Sequence, residues 1–416
     1  MSDNPKKTAH IQTRLLHNDR WAGVAHAGSH QPVYRSVQFA YESAQAISDA
    51  FQGKVAGYTY SRSNNPTLTA LEAQLTLLEG GLETITFATG MGAIATAMLA
   101  LLKSGDHIVV SQYLFGNTTS LFNTFGLHDI SITYVDVTDA ANVRAALQDN
   151  TRMVFVETIA NPRTQVTDLH GIGQLCQERG VLFIVDNTMA TSALVRAKDY
   201  GAGLVMNSLS KSLSGHATVL GGSLTDTGVF DWSHYPNIFV GYRSGDAKKW
   251  GISQLRKKGL RDVGATLSAD AAQQIATGLE TFFLRNERAC SNALQLAQWL
   301  QQHPAVECVD YPGLPNHPQH QRAQELFDSN GFGTLLSFSL KTGKSVHAVL
   351  DALNIIMIST HLGDNRTMTL PVAQTIYAEM AAEQRQQWGI NDGLIRVSVG
   401  IENINDLIND WEQALG

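Results

Sequence analysis

Between Ala56 and Leu224, short β-rich apolar runs alternate with stretches of helical spacing, the pattern of a mostly parallel sheet covered on both faces. The predicted strands are Ile85–Ala88, His107–Ser111, Ser131–Val137, Met153–Glu157, Val181–Asp186 and Gly203–Asn207. Several are too uniformly apolar for a sheet with one wet face, which places them in its interior. From Ser268 to Gln302 the apolar residues Leu279, Phe282, Phe283, Leu294, Leu296 and Leu300 recur at helical spacing and predict one long helix leading out of this α/β unit. Beyond it, strands at Val306–Val309, Thr334–Ser339 and Leu394–Val399, a helix near Ser345–Leu353 and a last helix at Ile404–Leu415 form a smaller α+β domain. The segment Pro312 to Pro318 is the clearest turn-rich stretch and reads as an exposed loop.

With 416 residues the chain has material for two domains and a buried site between or beside them. No apolar run approaches the roughly 20 residues of a membrane span, so no membrane partner is expected. The formal net charge of -7 argues against wholesale nucleic-acid binding, and the cluster Lys248, Lys249, Arg256, Lys257, Lys258 and Arg261 reads as a solvated helix face. Cys176, Cys290 and Cys308 are widely spaced, with no C-x-x-C, and suit neither a disulfide framework nor a metal site. The start from Met1 to Arg20 lacks the apolar core and cleavage site of a secretory signal, which gives a cytoplasmic expectation.

The first chemical motif is Thr89-Gly90-Met91-Gly92-Ala93-Ile94-Ala95, directly after a strand and opening a helix. Backbone free of large side chains there can offer its amides, and the positive end of the helix dipole, to a phosphate. Gly90-x-Gly92-x-x-Ala95 also fits a dinucleotide fingerprint. A dinucleotide site wants an acid closing the next strand to hold the ribose, and that strand ends in Ser111-Gln112.

The second motif is Asp186-Asn187-Thr188, where an acid closes the apolar run Val181 to Val185. Asp186 is either a helix cap or a carboxylate aimed into the crevice at the carboxyl end of a parallel strand. The third motif, Asn207-Ser208-Leu209-Ser210-Lys211-Ser212, follows the next strand. Neighbouring strands about 4.8 Å apart then bring Lys211 toward Asp186, a separation suited to a pyridine ring held end to end. A lysine in a serine-rich turn is ordinarily a surface residue; here the carboxylate would keep a pyridine nitrogen protonated while the amine captures an aldehyde as a Schiff base. Pyridoxal 5'-phosphate (PLP) is the cofactor with those two ends, and Ser208 and Ser210 are placed to hydrogen-bond its phosphate.

Ser208-Leu209-Ser210-Lys211 with Gly215-His216 and Gly221-Gly222, preceded by Asp186-Asn187-Thr188, resembles the Cys/Met-metabolism family of PLP enzymes. That family holds cystathionine γ-synthase, cystathionine lyases, homoserine-ester sulfhydrylases and methionine or canavanine γ-lyases. The resemblance runs through Tyr58 to Arg62, Asn65-Pro66-Thr67, Glu157-Thr158 with Asn161-Pro162, and Leu394 to Gly400. It implies an aspartate-aminotransferase-like (fold type I) large domain over residues 61–267, a small domain over 268–416, and an arm over 1–60 that contacts a neighbouring subunit. It also implies that Tyr60 and Arg62 reach the cofactor phosphate of that neighbour, in a homodimer with shared sites and in a homotetramer. Gly90 and Met91 would donate amides to the phosphate, Asn161 would lie near the ring oxygen, and Arg396 would bind the substrate α-carboxylate. By residue chemistry alone, Arg396 in an apolar run is either such a site or half of a buried salt bridge.

Three residues depart from the family's pattern. Phe115 stands where a stacking tyrosine is usual, so it can stack on the ring but cannot donate a proton. Asn117 replaces the cysteine typical of methionine γ-lyases, which weakens that narrow reading. His361 replaces a small polar residue near the substrate and either takes part in catalysis or packs against Leu362. The expectation is γ-elimination or γ-replacement on a homoserine-type L-amino acid, with C–O substrates preferred over C–S and with Lys211, Tyr60 and His361 moving protons. A methionine or cystathionine C–S lyase, an aminotransferase on the same fold and a PLP-binding protein without activity are the rivals.

Overall fold

The structure is a computed structural model that describes residues 8–327 and 331–416. The first seven residues, part of the predicted arm, lie outside the described residues.

The large sheet has seven strands: β1 (Glu83–Phe87), β2 (His107–Ser111), β3 (Ser131–Val135), β4 (Thr151–Glu157), β5 (Leu182–Asp186), β6 (Leu204–Ser208) and β7 (Gly222–Asp226), in the order β1-β7-β6-β5-β4-β2-β3. The neighbours from β3 to β6 pair in parallel, and β7 runs antiparallel to both β1 and β6. Alternation along the strands feeds two cores. Ile108, Val110, Met153, Phe155 and Ile184 join Ile94, Met98 and Leu101 of the helix Gly90–Leu101, while Val109, Val154, Val156, Phe183 and Val185 pack against Ile172 and Leu175 of the helix Leu169–Arg179.

Strand β7 escapes the hydrophobic pattern because its buried residues include Ser223, Thr225 and Asp226. The polarity of two of them is met inside the protein: the hydroxyls of Thr225 and Thr84 lie 2.8 Å apart, and Asp226 accepts from Trp232 Nε1 at 2.8 Å. The glycine that begins the strand is required, since a Cβ on Gly222 would come 2.3 Å from the Thr89 carbonyl oxygen.

The predicted long helix is two, Ala269–Glu280 and Phe282–Gln302, broken at Thr281. Arg285 explains how the break is tolerated. Its guanidinium donates to the Gly278 carbonyl at 2.6 Å and the Thr281 hydroxyl at 3.2 Å, and also to the carbonyls of Ser212 and Leu213 just beyond Lys211. The first of these helices packs on Pro66–Glu79 in a core that includes Leu209 and Leu213.

The second sheet contains β8 (Val306–Asp310), β9 (Leu335–Leu340), β10 (Met357–Ile358), β11 (Met368–Pro371) and β12 (Leu394–Ser398), in the order β10-β11-β12-β9-β8. Strands β10 and β11 are too short to leave a period in the sequence. The helices Phe282–Gln302 and Ile404–Leu415 cover this sheet through Leu296, Leu300, Leu407 and Trp411. The turn-rich Pro312–Pro318 segment is only partly exposed: Leu314 and His317 are buried, with Leu314 in the small-domain core. Among the described residues, no helix is long and apolar enough to cross a membrane.

Candidate active site

Three buried strands end side by side at one crevice: β4 at Glu157, β5 at Asp186 and β6 at Ser208. In an open parallel sheet this edge is where ligands bind, because the strand ends splay toward the helices that follow. A cavity of about 490 Å³ opens there. Its wall contains Gly90, Met91, Phe115, Asn161, Asp186, Thr188, Ser208, Ser210, Lys211, His361 and Arg396, so eleven of the thirteen residues singled out from the sequence meet in one place.

One side of the cavity suits an anion. Thr89 caps the helix Gly90–Leu101, its hydroxyl accepting from Gly92 N at 2.9 Å, which leaves the first-turn amides of Gly90 and Met91 without intrahelical acceptors. Gly90 is needed for the close approach, since a Cβ there would lie 2.8 Å from Met206 Cε and 3.1 Å from Ser208 Cβ. The Thr188 hydroxyl accepts from Ser208 N at 2.8 Å and ties the two loops together. Ser210 Oγ accepts from Gly221 N at 2.9 Å.

The floor carries two acids in register, Glu157 opposite Asp186 on paired strands. Burial pushes Asp186 up to about 6, against the hydrogen bonds from Thr188. Glu157 is driven well above the usual carboxylate range by burial and then by the charge of Asp186. Among the described residues neither acid makes a salt bridge to a lysine, arginine or histidine. A protonated pyridine nitrogen is a cation of the right size for this floor, so the residues present fit a pyridine ring with a phosphate at its other end.

Lys211 Nζ lies in the same wall, 3.4 Å from His361 Nδ1. Burial first, and then the charge of Arg396, lower its pKa to about 8. A depressed amine is nucleophilic at lower pH than an ordinary lysine, because the neutral form appears as pH rises through 8 and not through 10.5. In the cofactor-free protein, reductive trapping of Lys211 by a small aldehyde, read by peptide mass spectrometry, is therefore expected to rise with a midpoint near pH 8. A midpoint above 10 would contradict the burial argument.

Arg396 is 2% exposed, yet it has no acid partner among the described residues. Its guanidinium donates to Asn161 Oδ1 at 3.3 Å, to the Thr360 carbonyl at 2.9 Å and to the His361 carbonyl at 3.2 Å, and Nε is buried without a partner. The salt-bridge reading of this residue is thus set aside. The arrangement is a positioned cation in the cavity wall without an acidic partner among the described residues, which suits a small carboxylate.

Tyr60 and Arg62 do not line the cavity. Tyr60 is exposed, Arg62 stands 5.4 Å from its ring centre, and Arg62 Nη1 donates to the Arg261 carbonyl. Two residues with roles at the site were not singled out. Glu157 accepts from Phe115 N at 2.7 Å and so fixes the aromatic residue over the floor. The signal for it was present, since Val156-Glu157 closes an apolar strand as Val185-Asp186 does. Tyr377 lines the wall between Glu157 and Arg396, with its phenol pushed up by burial and then by the Glu157 charge. Nothing in its sequence surroundings marks it.

The family model for Cys/Met metabolism PLP-dependent enzymes matches residues 12–416. The chain belongs to that family. It uses PLP, and its large domain has the type I fold of PLP-dependent enzymes. Among relatives, an L-methionine gamma-lyase of Fusobacterium nucleatum is 36% identical over 92% of each chain. An O-acetyl-L-homoserine sulfhydrylase of Corynebacterium glutamicum is 34% identical over 97% of this chain and 96% of its own. Among solved structures, the Campylobacter jejuni protein assigned as an O-acetylhomoserine (thiol)-lyase superposes with a TM-score of 0.92 at 29% identity, covering 98% of this chain and 99% of its own, and carries a pyridoxyl-lysine phosphate adduct. A cystathionine gamma synthase of Xanthomonas oryzae superposes with a TM-score of 0.86 at 31% identity, covering 98% and 97%.

Proposed function

We propose that this enzyme catalyses γ-elimination or γ-replacement on a homoserine-type L-amino acid, with C–O substrates such as O-acyl-homoserines or canavanine-like oxyamines preferred over thioethers. The observation that carries this reading is the convergence of Asp186, Lys211 and Arg396 on one cavity in which Phe115, the ring held over the floor by Glu157, has no hydroxyl, while the phenol of Tyr377 lies elsewhere in the wall and is pushed up by burial. Relatives that are homoserine-ester sulfhydrylases and γ-lyases support the γ-chemistry.

When bound, PLP would supply an electron sink for the substrate's α-carbon. Each residue then has a distinct task. Asp186 keeps a proton on the ring nitrogen, and Gly90, Met91, Ser208, Ser210 and Thr188 hold the phosphate end. Phe115 stacks on the ring. Arg396, steadied by Asn161, holds the substrate α-carboxylate, while Lys211 removes the α-proton and then a β-proton. Tyr60 and Arg62 serve the phosphate of the neighbouring subunit in a homodimer with shared sites, and two such dimers form a homotetramer. Their exposure on the surface of this chain, away from its own cavity, supports that assignment.

The test is to supply O-acetyl-L-homoserine, canavanine, cystathionine and methionine, with and without a thiol, and identify products by mass. Turnover of the C–O substrates ahead of the C–S pair is the expected outcome. Restoring the phenol by Phe115→Tyr should raise C–S turnover relative to C–O by about 100-fold, the lower end of what one positioned proton donor contributes. Unchanged relative rates would count against the role given to Phe115.

A further inference from the structure

Tyr377 reaches the cavity wall from the irregular stretch after β11, and that stretch is pinned to the strand that carries Arg396. Leu370 of β11 stands opposite Arg396 of β12, and Val372 N donates to the Leu394 carbonyl at 3.0 Å. The chain then turns on itself, with the amides of Thr375 and Tyr377 both donating to the Val372 carbonyl at 3.3 Å. The tyrosine ring is seated among Leu370, Val372, Ala373, Ile390 and Leu394 and meets the Trp388 ring edge-on, with 6.3 Å between centres. The ring is therefore held in place, with one polar end emerging from an apolar bed.

The hydroxyl at that end is uncommitted. Among the described residues it makes no hydrogen bond, yet it is not one of the unpartnered polar atoms sealed from solvent, so it keeps accessible surface in the wall that Tyr377 lines. A buried tyrosine ordinarily finds a partner for its O–H, and here that partner is left to whatever enters the cavity. Burial and then the Glu157 charge push the phenol up, against the pull of Arg396, so it stays protonated and can donate.

The contacts of Arg396 show what it would donate to. A guanidinium has five N–H donors. In Arg396, Nη2 is taken by the carbonyls of Thr360 and His361, one N–H of Nη1 by Asn161 Oδ1, and Nε is sealed. A single N–H on Nη1 remains for an incoming anion, whereas a carboxylate presents two oxygens. The second oxygen needs a donor from elsewhere in the wall, and Tyr377, close enough to Arg396 to feel its charge, has a free O–H.

We propose that the Tyr377 hydroxyl donates to the substrate α-carboxylate and shares that anion with Arg396. This rests on the carboxylate site proposed above and completes its donor set. The phenol keeps its proton throughout, so Tyr377 binds and orients without taking part in proton transfer. Two donors on two oxygens fix the orientation of the α-carbon, which a single contact would leave free to swing.

The test is Tyr377→Phe in the holoenzyme, which removes one oxygen and keeps the ring that packs on Trp388. Dissociation constants are read from the change in cofactor absorption on adding L-norvaline or butan-1-amine, the same molecule without its carboxylate. The variant is expected to bind norvaline about 10- to 100-fold more weakly, the scale of one hydrogen bond to a charged group, and to bind the amine within about threefold of wild type. Arg396→Lys is measured beside it and is expected to weaken norvaline as well. A norvaline constant unchanged in Tyr377→Phe but weakened in Arg396→Lys overturns the assignment of Tyr377. Equal losses on norvaline and the amine also overturn it, because the phenol would then only shape the wall. A norvaline constant unchanged in Arg396→Lys is a separate outcome, which places the carboxylate elsewhere and removes the site itself.

Discussion

Replacing Lys211 with alanine is expected to remove the visible absorption of the lysine-bound cofactor and to lower turnover by on the order of 10⁴-fold, in one step and for every substrate. The two effects belong together because the same amine captures the aldehyde and moves the protons. Its place between the floor acids and His361 leaves no other lysine in the cavity wall among the described residues. A variant that keeps the absorption band, or that keeps turnover without it, would remove Lys211 from the centre of the site.

The second large effect is expected at Arg396. Truncation to alanine removes the fixed cation that awaits the substrate carboxylate, and breaking a buried charge-assisted contact costs about 2–5 kcal/mol. That corresponds to a loss of roughly 30- to 5000-fold in kcat/KM at about 1.4 kcal/mol per tenfold, carried chiefly by KM, while cofactor absorption persists. Because Arg396 also holds the carbonyls of Thr360 and His361, Arg396→Lys is the informative companion. Lysine keeps the charge without the fork and should recover part of the loss. Equal KM values in wild type and both variants would mean that the carboxylate binds elsewhere.

Much of this site could be read in the sequence because its chemistry sits at the ends of strongly apolar strands. Asp186 closes β5 and Lys211 follows β6, and both strands announce themselves by buried aliphatic residues on both faces. Glycines at Gly90 and Gly222 mark places where backbone must touch backbone or ligand. What stayed hidden depends on three-dimensional partners. Strand β7 hides its polarity by pairing Thr225 with Thr84 and Asp226 with Trp232. The break at Thr281 leaves the apolar period intact across it, and only the Arg285 contacts show why the chain turns there. Tyr377 reaches the wall from an irregular stretch after β11, where no period exists to be read.

The planar cation of Arg285 spans the joint at Thr281 and grips the segment directly behind the reactive amine, through the carbonyls of Gly278, Ser212 and Leu213. Prying the joint from that segment would strand a positive group away from water with its acceptors gone, a cost that a single neutral contact would not impose. The anchorage of the reactive lysine is thereby tied to the start of the helix Phe282–Gln302.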